Sequence, residues 1–349
     1  MNAILDEAYL RLHSTGPEWG DELSNHGPMA AEVLVRRGHA EEVPAWLDAY
    51  VRRLDDLPAA REPITDATWP QALSDFGRIG DWVVYFGTQV RERPWREVLA
   101  TWWPRLLPGI AAGATHGVIR VSHALRTLLA GDESPADAVA VTELAHGLAW
   151  WAARSLPVPG PIGPYGGLDA AEALESVPRI PSQQGGLASR FGQLGSLRSF
   201  PEALAALRAP ADPDDARDRL ADLVGAATRK YLTHGHASPV LLVHTATAPN
   251  AVLHSLPALP RELWPASLTA AWSASAAILS TYAPVAGAPR EVLPEPPTAD
   301  DPVAELLDRA AATGEEHVIK FTDTAAEVYA RSADPDVLAA AVRVRDLLS

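Results

Sequence analysis

Histidine is the residue type in this chain that is best suited to hold a metal ion, because the sequence has eleven His and no Cys. Without thiolates, a transition metal in a protein takes nitrogen and oxygen ligands. The His in apolar or helix-start segments are His26, His116, His123, His146, His244 and His317. A buried imidazole needs a partner, and for any one of them a hydrogen bond to a carbonyl or carboxylate is sufficient. Several such residues in one chain favour a shared metal.

A second candidate ligand is Lys320, which follows His317 by three residues. That spacing places both side chains on one helical face, about a turn apart. A neutral lysine can add carbon dioxide and become a carbamate, an anionic oxygen ligand, if burial or a metal lowers its pKa. Only two of the 29 basic residues are Lys, at Lys230 and Lys320. The alternative is a solvated Lys320 that pairs with Glu316 or Asp323.

Four short motifs together resemble the questin oxidase family, in the same order and across about residues 8 to 330. Members of that family are helical oxygenases that cleave the rings of anthraquinones, first described as Baeyer–Villiger-type oxidases. One relative is a non-haem iron dioxygenase with four His ligands and a carboxylated Lys. The motifs are Asn25-His26-Gly27-Pro28-Met29, Thr115-His116-Gly117-Val118-Ile119-Arg120, Val243-His244-Thr245 with Ala248-Pro249, and Glu316-His317-Val318-Ile319-Lys320.

The resemblance implies a ferrous iron site with five protein ligands. Transferred position by position, these ligands are His26, His116, His244, His317 and Lys320, the last as a carbamate. Three further His lie near His244 in the sequence, with no role assigned to them: His234, His236 and His254.

The predicted function is an oxygenase or dioxygenase that oxidises or cleaves an aromatic polyketide or anthraquinone-like substrate with dioxygen. His146 or His123 is a candidate base for a phenol, because imidazole titrates near neutral pH. Arg120 is a candidate clamp for a phenolate or carbonyl oxygen. The Trp residues either wall a flat pocket or pack the core. Candidates among them are Trp82, Trp102, Trp103, Trp150 and Trp151.

Three other functions stay open at this point. A Baeyer–Villiger-type monooxygenase of the same family would use NADPH, although the chain has no glycine-rich dinucleotide motif after a strand. A zinc hydrolase with a carboxylated lysine is suggested by the His-x-His at His234 and His236. A metal-free helical protein that binds a polyketide-like ligand is the third. Elemental analysis would separate iron, zinc and no metal.

The elements that would position these residues are predicted to be helices throughout. Apolar residues recur at three-to-four spacing in most segments, and Pro and Gly mark the breaks. One short run, 239–247, fits a strand or a buried helix equally well. The predicted helical segments are two helices in 28–55 that break near Gly38 and Pro44, then 71–92, 94–108, 109–131 and 134–155.

The predicted fold is all-α: one large helical domain over residues 1–349, with Pro/Gly-rich loops over a buried metal site. The loops are 156–197, which could also be a linker, and 283–302, which is acidic and predicted to be exposed.

Composition limits the class of protein. A net charge of -15 counts against nucleic acid as a partner. No segment has the roughly 18 apolar residues that cross a bilayer, and no signal peptide is visible. The sequence therefore predicts a soluble cytoplasmic protein, and it does not indicate an oligomeric state.

Overall fold

The protein folds almost entirely into helices. A computed structural model describes residues 3–20, 23–131, 137–160 and 163–349. Among these residues the only paired strands form a two-residue hairpin, β1 (Glu18–Trp19) with β2 (Leu23–Ser24). The predicted all-α class is confirmed. Within the described ranges, no helix combines the length and the apolar composition that a membrane crossing requires.

The chain divides into two compact units. The first comprises residues 1–157 and 254–260, and the second comprises 158–253 and 261–349. Neither unit is one continuous segment. The single domain predicted for residues 1–349 stays a prediction.

The first unit contains eight of the α-helices, joined by short 3-10 turns. They are α1 (Ala3–His13), α2 (Gly27–Arg36), α3 (Val43–Tyr50), α4 (Trp69–Ala72), α5 (Ile79–Glu92), α6 (Trp95–Leu106), α7 (His116–Ala130) and α8 (Ala138–Ala153).

Glycines allow α7 and α8 to pack closely. A Cβ on Gly117 would lie 2.8 Å from Cγ of Trp151, and a Cβ on Gly147 would lie 3.2 Å from the backbone nitrogen of Val121. Any side chain at either position would push the helices apart. This contact fixes the place of α7, which begins with His116.

The large aromatic side chains of the first unit form its core. The ring of Trp102 lies 4.8 Å from Phe86 and 5.6 Å from Trp82, and Trp103 meets Trp151 edge-to-face at 5.3 Å. All five are fully buried. These contacts indicate that the five side chains pack the core of this unit.

The second unit is also helical. Its helices are α9 (Ala170–Ser176), α10 (Leu187–Leu194), α11 (Ser199–Ala206), α12 (Pro213–His234), α13 (Pro239–Leu242), α14 (His244–Ser255, whose last two residues belong to the first unit), α15 (Trp264–Tyr282), α16 (Pro302–Thr313), α17 (Glu316–Ser332) and α18 (Pro335–Leu348). The longest are α12, α15, α17 and α18. In this unit α14 begins with His244, and α17 begins directly before His317.

Several predicted boundaries need correction. The helix predicted over 109–131 begins only at His116, because three residues before it take left-handed backbone conformations. The ambiguous run 239–247 is helical. The predicted loop 156–197 contains α9 and α10. The loop 283–302 holds one 3-10 turn and is largely exposed, as predicted.

Candidate functional site

Two of the predicted ligands, His26 and His116, meet in the first unit. His26 directly precedes α2, and His116 is the first residue of α7. Their Nε2 atoms lie 2.7 Å apart, with the rings nearly perpendicular at 88°. Each residue is 5% exposed. The prediction that His116 lies inside an apolar helix is wrong, because it lies at the helix start.

The distance between the two Nε2 atoms is close to the distance expected if both atoms bind the same metal ion. With metal–nitrogen bonds of about 2.0–2.1 Å, two neighbouring imidazole ligands stand about 3.0–3.4 Å apart. A separation of 2.7 Å therefore has to open by only a few tenths of an ångström.

A backbone carbonyl orients the ring of His116. Its Nδ1 lies 2.5 Å from the carbonyl oxygen of Gly113, so Nδ1 carries the proton and donates it. That tautomer leaves the lone pair on Nε2, the atom that faces His26. A hydrogen bond of this kind is the usual support behind a metal-binding imidazole.

The residues around His26 hold its backbone in place. The backbone nitrogen of His26 donates to the hydroxyl of Tyr50 at 2.5 Å. Asn25 accepts from the backbone nitrogen of Gly27 and donates to the carbonyl of Gly16. A Cβ on Gly27 would lie 2.6 Å from a methyl of Leu12. Each residue of the Asn25-His26-Gly27 motif therefore has contacts that explain its identity at that position.

The other predicted ligands lie in the second unit. The rings of His244 and His317 are perpendicular at 87°, with centroids 5.8 Å apart. His244 is fully buried and His317 is 7% exposed. Nδ1 of His317 lies 2.8 Å from a carboxylate oxygen of Glu315, whose other oxygen accepts from the backbone nitrogen of Val318. This arrangement directs the lone pair of His317 to Nε2, as in the first unit.

Lys320 lies one turn along α17 from His317 and is 3% exposed. Its Nζ has no hydrogen-bond partner among the residues that the structure describes. Burial lowers the pKa of Lys320 to about 7, against the opposing charges of Glu316 and Glu315. A solvated Lys320 is therefore excluded, and a larger share of this amine is neutral near pH 7 than of an exposed lysine.

Carboxylates extend this second group. Ligand atoms of Glu315, Glu316 and His317 all lie within 4.8 Å of one another. Both oxygens of Glu315 are already hydrogen-bonded, whereas Glu316 is a further candidate ligand that the motif comparison did not propose. Its signal in the sequence is its position directly before His317.

Arg120 was predicted as a clamp for substrate, but it is held in a buried ion pair. Its Nε and Nη2 donate to the two oxygens of Glu143 at 2.6 and 3.0 Å. His13 adds a third contact, from Nε2 to Glu143 at 3.0 Å. Both charged partners are buried, so the pair stabilises the contact between α7 and α8 and counts against Arg120 as a substrate clamp.

The two candidate bases differ in their surroundings. His146 stacks on His13 at 4.6 Å, and burial, then the neighbouring charges of His13 and Arg120, lowers its pKa to about 3. A group with that pKa is a weak base at neutral pH. Nδ1 of His123 donates to a carboxylate oxygen of Glu32 at 2.7 Å, which leaves the lone pair of Nε2 available for proton transfer.

Sequence reasoning missed the three partners of these residues: His13, Glu32 and Glu143. A carboxylate inside an apolar helix was the available signal for Glu32 and Glu143, because a buried charge needs a partner. Which partner each one takes depends on contacts 91 to 130 residues apart in the chain.

The remaining histidines lie outside the groups that could hold a metal. His234 is buried and bonded to Thr233, and burial lowers its pKa to about 4. His236 is exposed and His254 is half-buried. In the described part of the chain, none of the three belongs to a group of three potential ligands.

No protein-family model matches the sequence, and no protein of curated function matches it in a similarity search. The resemblance carried by the four motifs therefore stays a prediction.

Proposed function

We propose that the protein is a metal-dependent oxygenase that binds ferrous iron through His26, His116, His244, His317 and a carboxylated Lys320. The observation that carries the proposal is the buried amine of Lys320, one helical turn from an imidazole that a carboxylate orients. Burial without a hydrogen-bond partner is costly for a lysine that has only a structural role, but it suits one that reacts as a neutral amine.

The carbamate forms by addition without any other reactant. The lone pair of Nζ attacks the carbon of carbon dioxide, one C–O π bond becomes the negative charge on oxygen, and the nitrogen loses one proton to solvent. The product is an anionic oxygen donor at the end of the side chain. A pKa of about 7 supplies the neutral amine at physiological pH.

The residues fit iron by their chemistry. Imidazole nitrogens and one anionic oxygen suit Fe²⁺, and the chain has no Cys that would favour softer ions. Iron of this type, when bound, supplies the chemistry by which dioxygen oxidises or cleaves an electron-rich ring. The proposed substrate class is an aromatic polyketide or anthraquinone-like phenol.

The chain's own residues would orient the ligands and move protons. Gly113 and Glu315 hold the protons of His116 and His317 on Nδ1. His123, supported by Glu32, is the better placed base for a phenolic proton, since His146 is too weakly basic.

The test begins with metal content after aerobic and anaerobic purification. One iron per chain, lost on replacing His116 or His317 by Ala, supports the proposed ligand set. Two ions per chain would show that each pair binds its own ion. Zinc would indicate a hydrolase, and protein that binds no metal even after reconstitution would leave a ligand-binding role.

The lysine is tested with Lys320→Met against Lys230→Met. Lys230 is the other buried lysine, but it pairs with Glu175. Protein equilibrated with ¹³C-bicarbonate should show a carbamate carbon signal that only the Lys320 variant loses. Oxygen uptake with a hydroxyanthraquinone, measured with and without NADPH, separates a dioxygenase from a Baeyer–Villiger-type monooxygenase. Full iron content and activity in Lys320→Met would refute the carbamate.

A further inference from the structure

Three consecutive residues before His116 have left-handed backbone conformations. The φ angles of Gly113, Ala114 and Thr115 are 52°, 55° and 74°. Only Gly adopts this conformation without steric cost, and a β-branched residue such as Thr rarely does. Among the described residues, four non-glycine residues have positive φ, and two of them lie in this turn.

Thr115 is also unfavourable by its side chain. It is fully buried, and its hydroxyl has no hydrogen-bond partner within the described ranges. It precedes α7 but does not cap it, because the side chain makes no bond to the helix. Stability alone would favour Gly for the backbone or Val for the burial at this position.

The turn brings the carbonyl of Gly113 back onto the ring of His116. A three-residue turn of ordinary right-handed residues would begin the helix earlier, and the carbonyl of residue 113 would then point along the helix axis. Trp150 holds the turn from the other side, since a Cβ on Gly113 would lie 2.8 Å from its ring. The result is the bond that fixes the proton of His116 on Nδ1.

We propose that residues 113–115 are a strained positioning turn, which holds His116 in the tautomer and orientation that bind metal. Gly113 is a positioning residue that acts through His116, because its carbonyl accepts from Nδ1 and Trp150 leaves no room for a side chain at residue 113. Strained backbone of this kind persists where the surrounding structure holds it, and it concentrates at functional sites. The role in metal binding rests on the proposed function, whereas the control of the tautomer does not.

The test displaces the turn without removing the imidazole. Gly113→Ala adds a Cβ 2.8 Å from the ring of Trp150 at a φ of 52°, so the turn has to move and the ring of His116 should lose its fixed tautomer. Iron affinity should then fall about tenfold or more, as for other supports of metal ligands. The tautomer is measured on metal-free protein by ¹⁵N chemical shifts of labelled histidine at pH 8. Affinity is measured by competition with a chelator.

Two control variants separate the backbone from other causes. Gly160→Ala places the same methyl at a φ of 67°, where the nearest atom is a carbon of Pro201 at 3.7 Å, so the tautomer and the affinity should stay as in the unaltered protein. Ala333→Gly relieves the same strain at the exposed end of α17 and should change neither quantity.

The outcomes are distinct. A fixed Nδ1–H tautomer in Gly113→Ala would overturn the proposal, as would a loss of affinity in Gly160→Ala equal to that in Gly113→Ala. If the unaltered protein binds no iron, the proposed function fails, while the tautomer measurement still decides whether the turn positions His116.

Discussion

Burial of the Lys320 amine makes the stability of the metal-free protein depend on pH. Its pKa falls from an ordinary value of 10.5 to about 7 in the folded state. Between these values the unfolded chain binds more protons, so folding becomes more favourable as pH rises from 7 to 10. Lys320→Met removes this dependence. In carbon dioxide-free buffer, urea unfolding should show Lys320→Met more stable at pH 7, with the difference shrinking towards pH 10. A constant difference would contradict the prediction.

Burial of His146 makes the stability of the protein depend on pH in the acidic range. Its pKa is lowered from 6.5 to about 3, so protonation of the unfolded state weakens folding as pH falls below 6.5. His146→Phe should therefore gain roughly 3 kcal/mol on the unaltered protein between pH 7.5 and pH 4.5. Urea unfolding at the two pH values measures it. His236→Asn, at an exposed position, should leave the pH dependence unchanged.

The buried ion pair of Glu143 and Arg120 should be sensitive to loss of one partner. Glu143→Ala leaves the guanidinium buried without its carboxylate, which costs about 3–5 kcal/mol. The double replacement Glu143→Leu with Arg120→Met removes both charges and should recover most of that loss. Urea unfolding of the three proteins tests this, and equal instability of the single and double variants would show that packing, not charge, dominates.

At the residue scale, the sequence predicted the features that depend on residues close together in the chain. The spacing of His317 and Lys320 predicts one face of one helix, and that is how they lie. The prediction failed for Arg120, because its partner Glu143 belongs to another helix. A side chain's role depends on what packs against it, and one sequence does not contain that information.

At the scale of elements, α7 and α8 pack closely because Gly117 and Gly147 have no side chain where the two helices meet. Gly147→Ala places a methyl 3.1–3.3 Å from Val121, so the protein should lose about 1–3 kcal/mol of stability. Gly87→Ala in α5 is the matched control. A methyl there meets only the end of Arg91 at 3.5 Å, and the better helix propensity of Ala should stabilise the protein by about 0.5–1 kcal/mol. Chemical unfolding compares the two.

Helix periodicity predicted most elements but not their first residues. The apolar run from residue 109 continues without a break into α7, so the pattern alone starts the helix too early. The true start depends on the left-handed turn at 113–115, which Trp150 enforces from a distant part of the chain. The error falls at His116, the residue for which the helix start matters most.

At the scale of the whole molecule, the proposed metal should stabilise the folded state. An ion that binds the folded chain and not the unfolded one adds about 4 kcal/mol at a thousandfold excess over its dissociation constant. Anaerobic Fe²⁺ should therefore raise the thermal midpoint, and a chelator should reverse the shift. In His317→Ala the shift should be lost, whereas His236→Asn should retain it. An equal shift in both variants would place the ion elsewhere.

Fold class follows from composition and periodicity, whereas the organisation of the units does not. Apolar residues at helical spacing and the scarcity of alternating runs are sufficient to predict an all-α protein. The return of residues 254–260 to the first unit is a property of the chain's path in space. No local sequence pattern in residues 254–260 predicts that they belong to the first unit.

The burial of both lysines has a practical consequence for chemical labelling. Lys230 and Lys320 are the only lysine amines in the chain, and they are 6% and 3% exposed. Succinimidyl esters, formaldehyde and amine cross-linkers should consequently find no accessible lysine on the folded protein. Cyanate is small enough to follow carbon dioxide, and trypsin does not cut after a carbamylated lysine. The added mass on the uncut fragment 310–331 would therefore report how open the Lys320 amine is to small reagents.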